Sequence, residues 1–160
     1  VKDAWYMGEE VLEAMLNNQS FDYRPGFLSL PVYGSKGILL PSGMMIKYHN
    51  LRRVINEKNK SEWIYDGRRG VKNRIYGPKV LQNTTQSVAR CVMGEAMARI
   101  NKVYPIALTV HDSCYVVVPE DEAQEAYDFI MQELTIEPSW APGLPLDAEG
   151  AIGNNLKEAG

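Results

Sequence analysis

Two β-branched, apolar runs within Ile106-Ala-Leu-Thr-Val-His-Asp-Ser-Cys-Tyr-Val-Val-Val118 close on a single His111-Asp112 pair. Strand signals on both sides of two polar residues predict a tight antiparallel hairpin. Such a turn holds the Asp112 carboxylate at a rigid tip, which is how a metal-binding acid is presented. A helical pattern rich in amide side chains comes immediately before it, so the acidic tip and a polar helix face are expected to share one cleft.

That helix is expected over residues 75–103. Val80, Thr84, Val88, Val92, Ala96, Ile100 and Val103 recur at a spacing of four, with one step of three, and so form one apolar arc. Asn83, Gln86 and Arg90 recur at three and four and line a stripe at the edge of that arc. On residue type alone these are solvent-facing polar groups.

Upstream, Trp5, Val11, Leu12, Met15 and Leu16 mark a first helix ending near Asn17-Asn18. Residues 27–66 then read as strands and turns of an antiparallel meander. Its pieces are Phe27-Leu-Ser-Leu-Pro-Val-Tyr33, Gly37-Ile-Leu-Leu40, a Pro41-Ser-Gly43 turn, residues 44–48, Val54-Ile55 and Trp63-Ile-Tyr65. The turn between the last two pieces is expected at Glu57-Lys-Asn-Lys-Ser61. Met44-Met45 and the Met93 and Met97 pair read as core packing, and His49 reads as a surface residue. Past the hairpin, Pro119-Glu-Asp-Glu122 starts a shorter helix over 120–134. A Pro-rich loop at 138–145 and an extended Leu146-Asp-Ala-Glu-Gly150 follow. The fold class expected is α+β, an antiparallel sheet containing the His111-Asp112 hairpin and backed by the long helix and the shorter one.

At 160 residues, 45% hydrophobic and 23% charged, the chain suits one globular domain. No apolar run approaches ~18 residues and no secretory signal stands at the N-terminus, so no membrane partner is expected and the location expected is intracellular. Cys91 and Cys114 lack further cysteine partners for a zinc site and read as reduced, small apolar residues. The net charge of −3 hides an asymmetry: residues 46–79 carry ten Lys/Arg against three acids, while residues 80–160 carry four against twelve. A local positive excess of this size suits a polyanion; it also suits a solvated hairpin face. Arg68, Arg69, Lys72, Arg74 and Lys79 run into the long helix, where they read as a solvated loop or as phosphate contacts.

Thr109-Val-His-Asp112 following a helix with Gln86-Ser-Val-Ala-Arg90 resembles the last third of a family A, DNA polymerase I-like DNA polymerase. Leu40-Pro-Ser-Gly43 is similar to the hairpin after the fingers in phage members. Ile75-Tyr-Gly-Pro-Lys79 with Gln82-Asn-Thr-Thr-Gln86 is similar to the start of their long palm helix, and Leu146-Asp-Ala-Glu-Gly150 with Gly153-Asn-Asn155 to their C-terminal signature. The resemblance covers most of residues 1–160 and implies a partial polymerase domain, the C-terminal palm portion. A chain that opens on Val1 directly into a helical pattern reads as a piece of something longer.

The resemblance implies that Asp112 is one of two aspartates holding two Mg²⁺ ions, the other lying upstream of Val1 together with the nucleotide-binding helix. It implies primer-template DNA and deoxynucleoside triphosphates as partners, along with the upstream polymerase region, without which this chain is expected to be inactive. It places His111 beside the primer terminus and gives Gln86 and Asn83 a minor-groove role, where amide donors can check pairing geometry without reading sequence. Arg90, Lys79, Arg74, Arg52 and Arg53 become candidate DNA contacts. If phage-encoded, the protein would work in the cytoplasm of a bacterial host. Three departures stand out: Ser113 where DNA polymerases of the family carry Glu, Met44-Met45 where basic residues commonly follow the turn, and the absent upstream aspartate. His-Asp-Ser also occurs in single-subunit phage RNA polymerases, so an RNA polymerase-like palm is the alternative, and a non-catalytic primer-template-binding module is another.

Overall fold

The computed structural model describes residues 2–26, 28–156 and 158. It is α+β, with three helices and three antiparallel sheets. The chain forms two compact units, residues 1–88 and 89–160, and the division falls inside the longest helix. No helix among the described residues is long and apolar enough to cross a membrane.

In the first unit, α1 (Lys2–Leu16) buries Val11, Leu12, Ala14 and Met15 and starts with Asp3 in its first turn, where an acid faces the positive end of the helix dipole. Asn18 ends it in the left-handed region at φ 54°, and the Gln19 N–H closes back on the Ala14 carbonyl at 2.8 Å. The Asn18 Oδ1 then accepts from the Ser35 N–H and hydroxyl, fixing the following loop to the helix end. The first sheet runs β1 (Ser20–Tyr23), β2 (Leu30–Tyr33), β3 (Ile38–Leu39) and β4 (Met45–Ile46) in that spatial order. Its β3–β4 connection is the expected Pro41-Ser-Gly43 turn, with Gly43 at φ 80°.

The second sheet is β5 (Arg52–Ile55), β6 (Ser61–Asp66) and β7 (Lys72–Ile75). Its register pairs Arg53 with Trp63 and Trp63 with Ile75 on one face, and Arg52 with Ile64 and Ile64 with Arg74 on the other. Both sheets and α1 supply one core, in which Leu12, Tyr23, Leu30, Val32, Ile38 and Trp63 are buried, joined by Val80 at the start of α2 (Gly77–Ile100).

In the second unit, the later part of α2 is followed by β8 (Ile106–Val110), β9 (Ser113–Val116) and, after a 3₁₀ turn at Glu120–Glu122, α3 (Ala123–Leu134). Arg99 donates from Nε to a Glu133 carboxylate oxygen at 2.6 Å and from Nη2 to the Glu133 carbonyl at 2.7 Å, tying the end of α2 to the end of α3. Trp140 Nε1 donates to Glu95 at 2.7 Å, pinning the Pro-rich loop to α2. Gly150 lies against the Tyr127 ring and the Met131 sulfur, and its carbonyl accepts from the Tyr127 hydroxyl.

Both helices past the first begin later than the apolar pattern suggested, α2 at Gly77 and α3 at Ala123. Val103 lies beyond the end of α2 and is exposed. The meander is divided over two sheets, and the His111-Asp112 hairpin is a two-stranded sheet of its own. The strand expected from Phe27 begins at Leu30 among the described residues, and Phe27 itself lies outside them. Met44 is 62% exposed, because it flanks the β3–β4 turn, so the core role expected for it is corrected. His49 is exposed as expected.

Two tyrosines make the first unit alkali-sensitive. Burial, with Tyr48 nearby, pushes the Tyr23 hydroxyl up to about 12. Burial pushes Tyr48 to about 12 as well, against a lowering hydrogen bond from Asn83. Unfolded, both ionise near the ordinary value of about 10. A raised folded pKa contributes stability below the unfolded value, which is lost as pH climbs through the folded one. The thermal midpoint followed by circular dichroism should therefore fall between pH 10 and 12, and Tyr23→Phe should flatten that fall. A midpoint constant across the window would contradict this.

Candidate functional site

The β8–β9 connection is a two-residue turn, His111-Asp112, closed by the Val110 and Ser113 pair. Tight hairpins of this length place their first central residue at positive φ, and His111 sits there at φ 51°. Histidine tolerates that region better than most residues with a side chain, and a β-branched residue would not. Farther back, the register shifts between Ile106 and Leu108, so Ala107 is an extra residue on β8 and the ribbon twists locally. The Ile106 N–H is anchored by the Asn101 side chain at 3.0 Å.

At the tip both His111 and Asp112 are exposed. The Asp112 carboxylate makes no ion pair and no side-chain hydrogen bond among the described residues. Arg90 reaches the turn from α2, its Nη1 donating to the His111 carbonyl in a long bond of 3.4 Å. A guanidinium on that carbonyl supports the strained turn and adds a positive charge near the tip. Behind the tip, burial raises the Cys114 thiol above its ordinary value, so at neutral pH it is a protonated, small apolar group. Cys91 is buried in α2, and neither cysteine forms a disulfide.

No three His, Cys, Asp or Glu side chains among the described residues gather where they could hold one ion. Asp112, exposed at the tip, offers one hard oxygen donor. A carboxylate is the donor Mg²⁺ prefers, and an exposed, unpaired one is free to coordinate.

The amide stripe divides into two kinds of residue. Asn83 is half-buried and spends its amide on the Tyr48 hydroxyl, donating at 3.1 Å. Gln86, three residues further on, is exposed and makes no side-chain hydrogen bond with the described residues. Asn83 and Gln86 belong to the first unit, Arg90 and the hairpin to the second. Lys79 donates to Gln82 at 2.9 Å at the start of α2.

Arg52, Arg53 and Arg74, the candidate DNA contacts that precede α2, are all already partnered. Arg52 donates to an Asp66 carboxylate oxygen at 3.0 Å and to the Asn50 carbonyl at 2.6 Å. Hydrogen bonds from Asn50 first and Arg52 second hold the Asp66 carboxyl below the usual range. Arg53 pairs with Glu13 and stacks over the Trp63 ring, 4.3 Å from its centroid. Arg74 pairs with Glu62 at 2.7 Å. Spacing along the chain carried no signal for these pairs or for the Asn83 and Tyr48 contact, since their partners lie 12 to 40 positions away.

No family model and no solved structure matches the chain. The chain is similar to a DNA polymerase of Bacillus phage SP02, 28% identical over 162 residues. That match covers 96% of this chain and 24% of the phage protein.

Proposed function

We propose that this chain is the C-terminal palm portion of a family A, phage-type DNA polymerase, contributing to Mg²⁺-dependent addition of deoxynucleotides to a primer 3′ end. The observation that carries the reading is the exposed, unpaired Asp112 carboxylate on a two-residue hairpin tip, in a chain similar over almost its whole length to a phage DNA polymerase.

Within that reading, each residue does what its setting allows. Asp112 supplies one hard oxygen donor of a two-metal set, and the other aspartate comes from the polypeptide upstream. When bound, the two ions would lower the pKa of the primer hydroxyl and neutralise charge on the leaving pyrophosphate. His111 fixes the turn and borders the primer terminus, and Arg90 positions the turn through the His111 carbonyl. Gln86 offers an amide to minor-groove acceptors, which sit in nearly the same places in every base pair. Asn83, held by Tyr48, is a weaker candidate for that contact.

Ser113 favours a second reading, an RNA polymerase-like palm. The two separate in one experiment on the complete polypeptide, with a primed template offered either deoxynucleotides or ribonucleotides. The expected result is template-directed extension with deoxynucleotides, absent from this chain alone and restored when the upstream region is supplied. Preferential ribonucleotide addition would favour the second reading, and no extension with either would overturn both.

A further inference from the structure

We propose that the β6–β7 turn is a phosphate-gripping arm for duplex DNA, centred on Arg68 and Arg69. The inference rests on the polymerase reading above for its ligand and goes beyond it in naming which cations do the gripping. Charge alone spread that role over the whole stretch of residues 46–79. The structure divides the stretch by what each cation already touches. Arg52, Arg53 and Arg74 are each committed to a carboxylate. Arg68 and Arg69 are exposed and make no ion pair or side-chain hydrogen bond among the described residues, and exposed Lys72 opens β7 beside them. The acid nearest in sequence, Asp66, is held by Asn50 and Arg52.

The turn that carries them is built rather than loose. The Gly67 N–H donates to the Val71 carbonyl at 2.8 Å, and Asn73 Nδ2 donates to the same carbonyl at 3.3 Å. A side chain on Gly67 would meet that Asn73 nitrogen at 2.1 Å and the Val71 carbonyl oxygen at 3.3 Å, so Asn73 would have to swing out of its bond to Val71. Arg69 then stands in the left-handed region at φ 60°, ψ 24°, followed by Gly70 at φ 74°. Glycine or asparagine would occupy Arg69's backbone with less strain. An arginine where a cheaper residue fits points to a use for its side chain. Two guanidinium groups on a fixed turn present the planar donor forks that phosphate oxygens accept.

Duplex affinity of the complete polypeptide, measured from about 50 to about 200 mM salt, tests the arm. Each phosphate contact removed should lower the slope of log affinity against log salt by about 1. For the double variant Arg68→Gln with Arg69→Asn, the affinity lost across that range should shrink by about tenfold relative to wild type. The thermal midpoint should hold or rise, because Asn relieves the strain at position 69. Arg69→Lys, which keeps the charge, should retain the wild-type slope. An unchanged slope in the double variant, with primer extension intact, would overturn the arm and leave the polymerase reading standing. A reduced slope in a protein that extends no primer would support the arm and remove the polymerase reading.

Discussion

Asp112→Asn in the complete polypeptide should reduce primer extension by about 10³-fold or more while leaving duplex affinity within about twofold of wild type. The substitution exchanges one carboxylate oxygen for an amide nitrogen of the same size, on a turn that asparagine also suits. Asp112 is exposed and unpaired, so folding should change by no more than about 0.5 kcal/mol. What is lost is one negative hard-oxygen donor, worth several kcal/mol where two metal ions share a developing charge. Extension near the wild-type rate would remove Asp112 from the chemistry. A parallel loss of duplex binding would instead assign it to DNA contact or to folding.

Gly77→Ala should unfold the first unit or lower its stability by about 3 kcal/mol, a drop in thermal midpoint on the order of 10 °C. A methyl group there would sit 2.1 Å from the Trp5 carbonyl oxygen and 3.1 Å from the Glu9 N–H nitrogen. Gly8 faces it with the same constraint, since a methyl group there would sit 2.3 Å from the Gly77 carbonyl oxygen. These neighbours are backbone atoms, so no rotamer change relieves the clash and α1 must move against the start of α2. Any such move also breaks the clasp made by Glu9, which accepts from the Gly77 N–H at 2.6 Å and from Trp63 Nε1 at 2.8 Å. A shift below about 2 °C would show that α1 yields there at little cost.

The parts of the fold visible in the sequence are those with an apolar period. The long arc from Val80 to Ile100 gave α2, and the β-branched runs around His111-Asp112 gave the hairpin and its two-residue turn. Two strands escaped the reading. β1 (Ser20–Tyr23) and β7 (Lys72–Ile75) each bury only their last residue, so their sequences look like polar linkers. The basic stretch likewise looked uniform, because ion pairs such as Arg74 with Glu62 depend on register across β6 and β7. Register follows from the Gly67 turn, and nothing in residues 67–71 announces its geometry beyond two glycines. Helix spacing alone put Asn83 level with Gln86, and only the resemblance ranked Gln86 higher; nothing nearby in sequence announced that Tyr48, 35 positions earlier, occupies the Asn83 amide.

Whether the hairpin tip takes a divalent ion can be read directly by nuclear magnetic resonance of the complete polypeptide titrated with Mn²⁺. Paramagnetic broadening centred on the amides of residues 111–113 is expected, displaced by excess Mg²⁺ and missing in the Asp112→Asn variant. Broadening that bypasses those amides, or that persists unchanged in the variant, would contradict a metal role for Asp112.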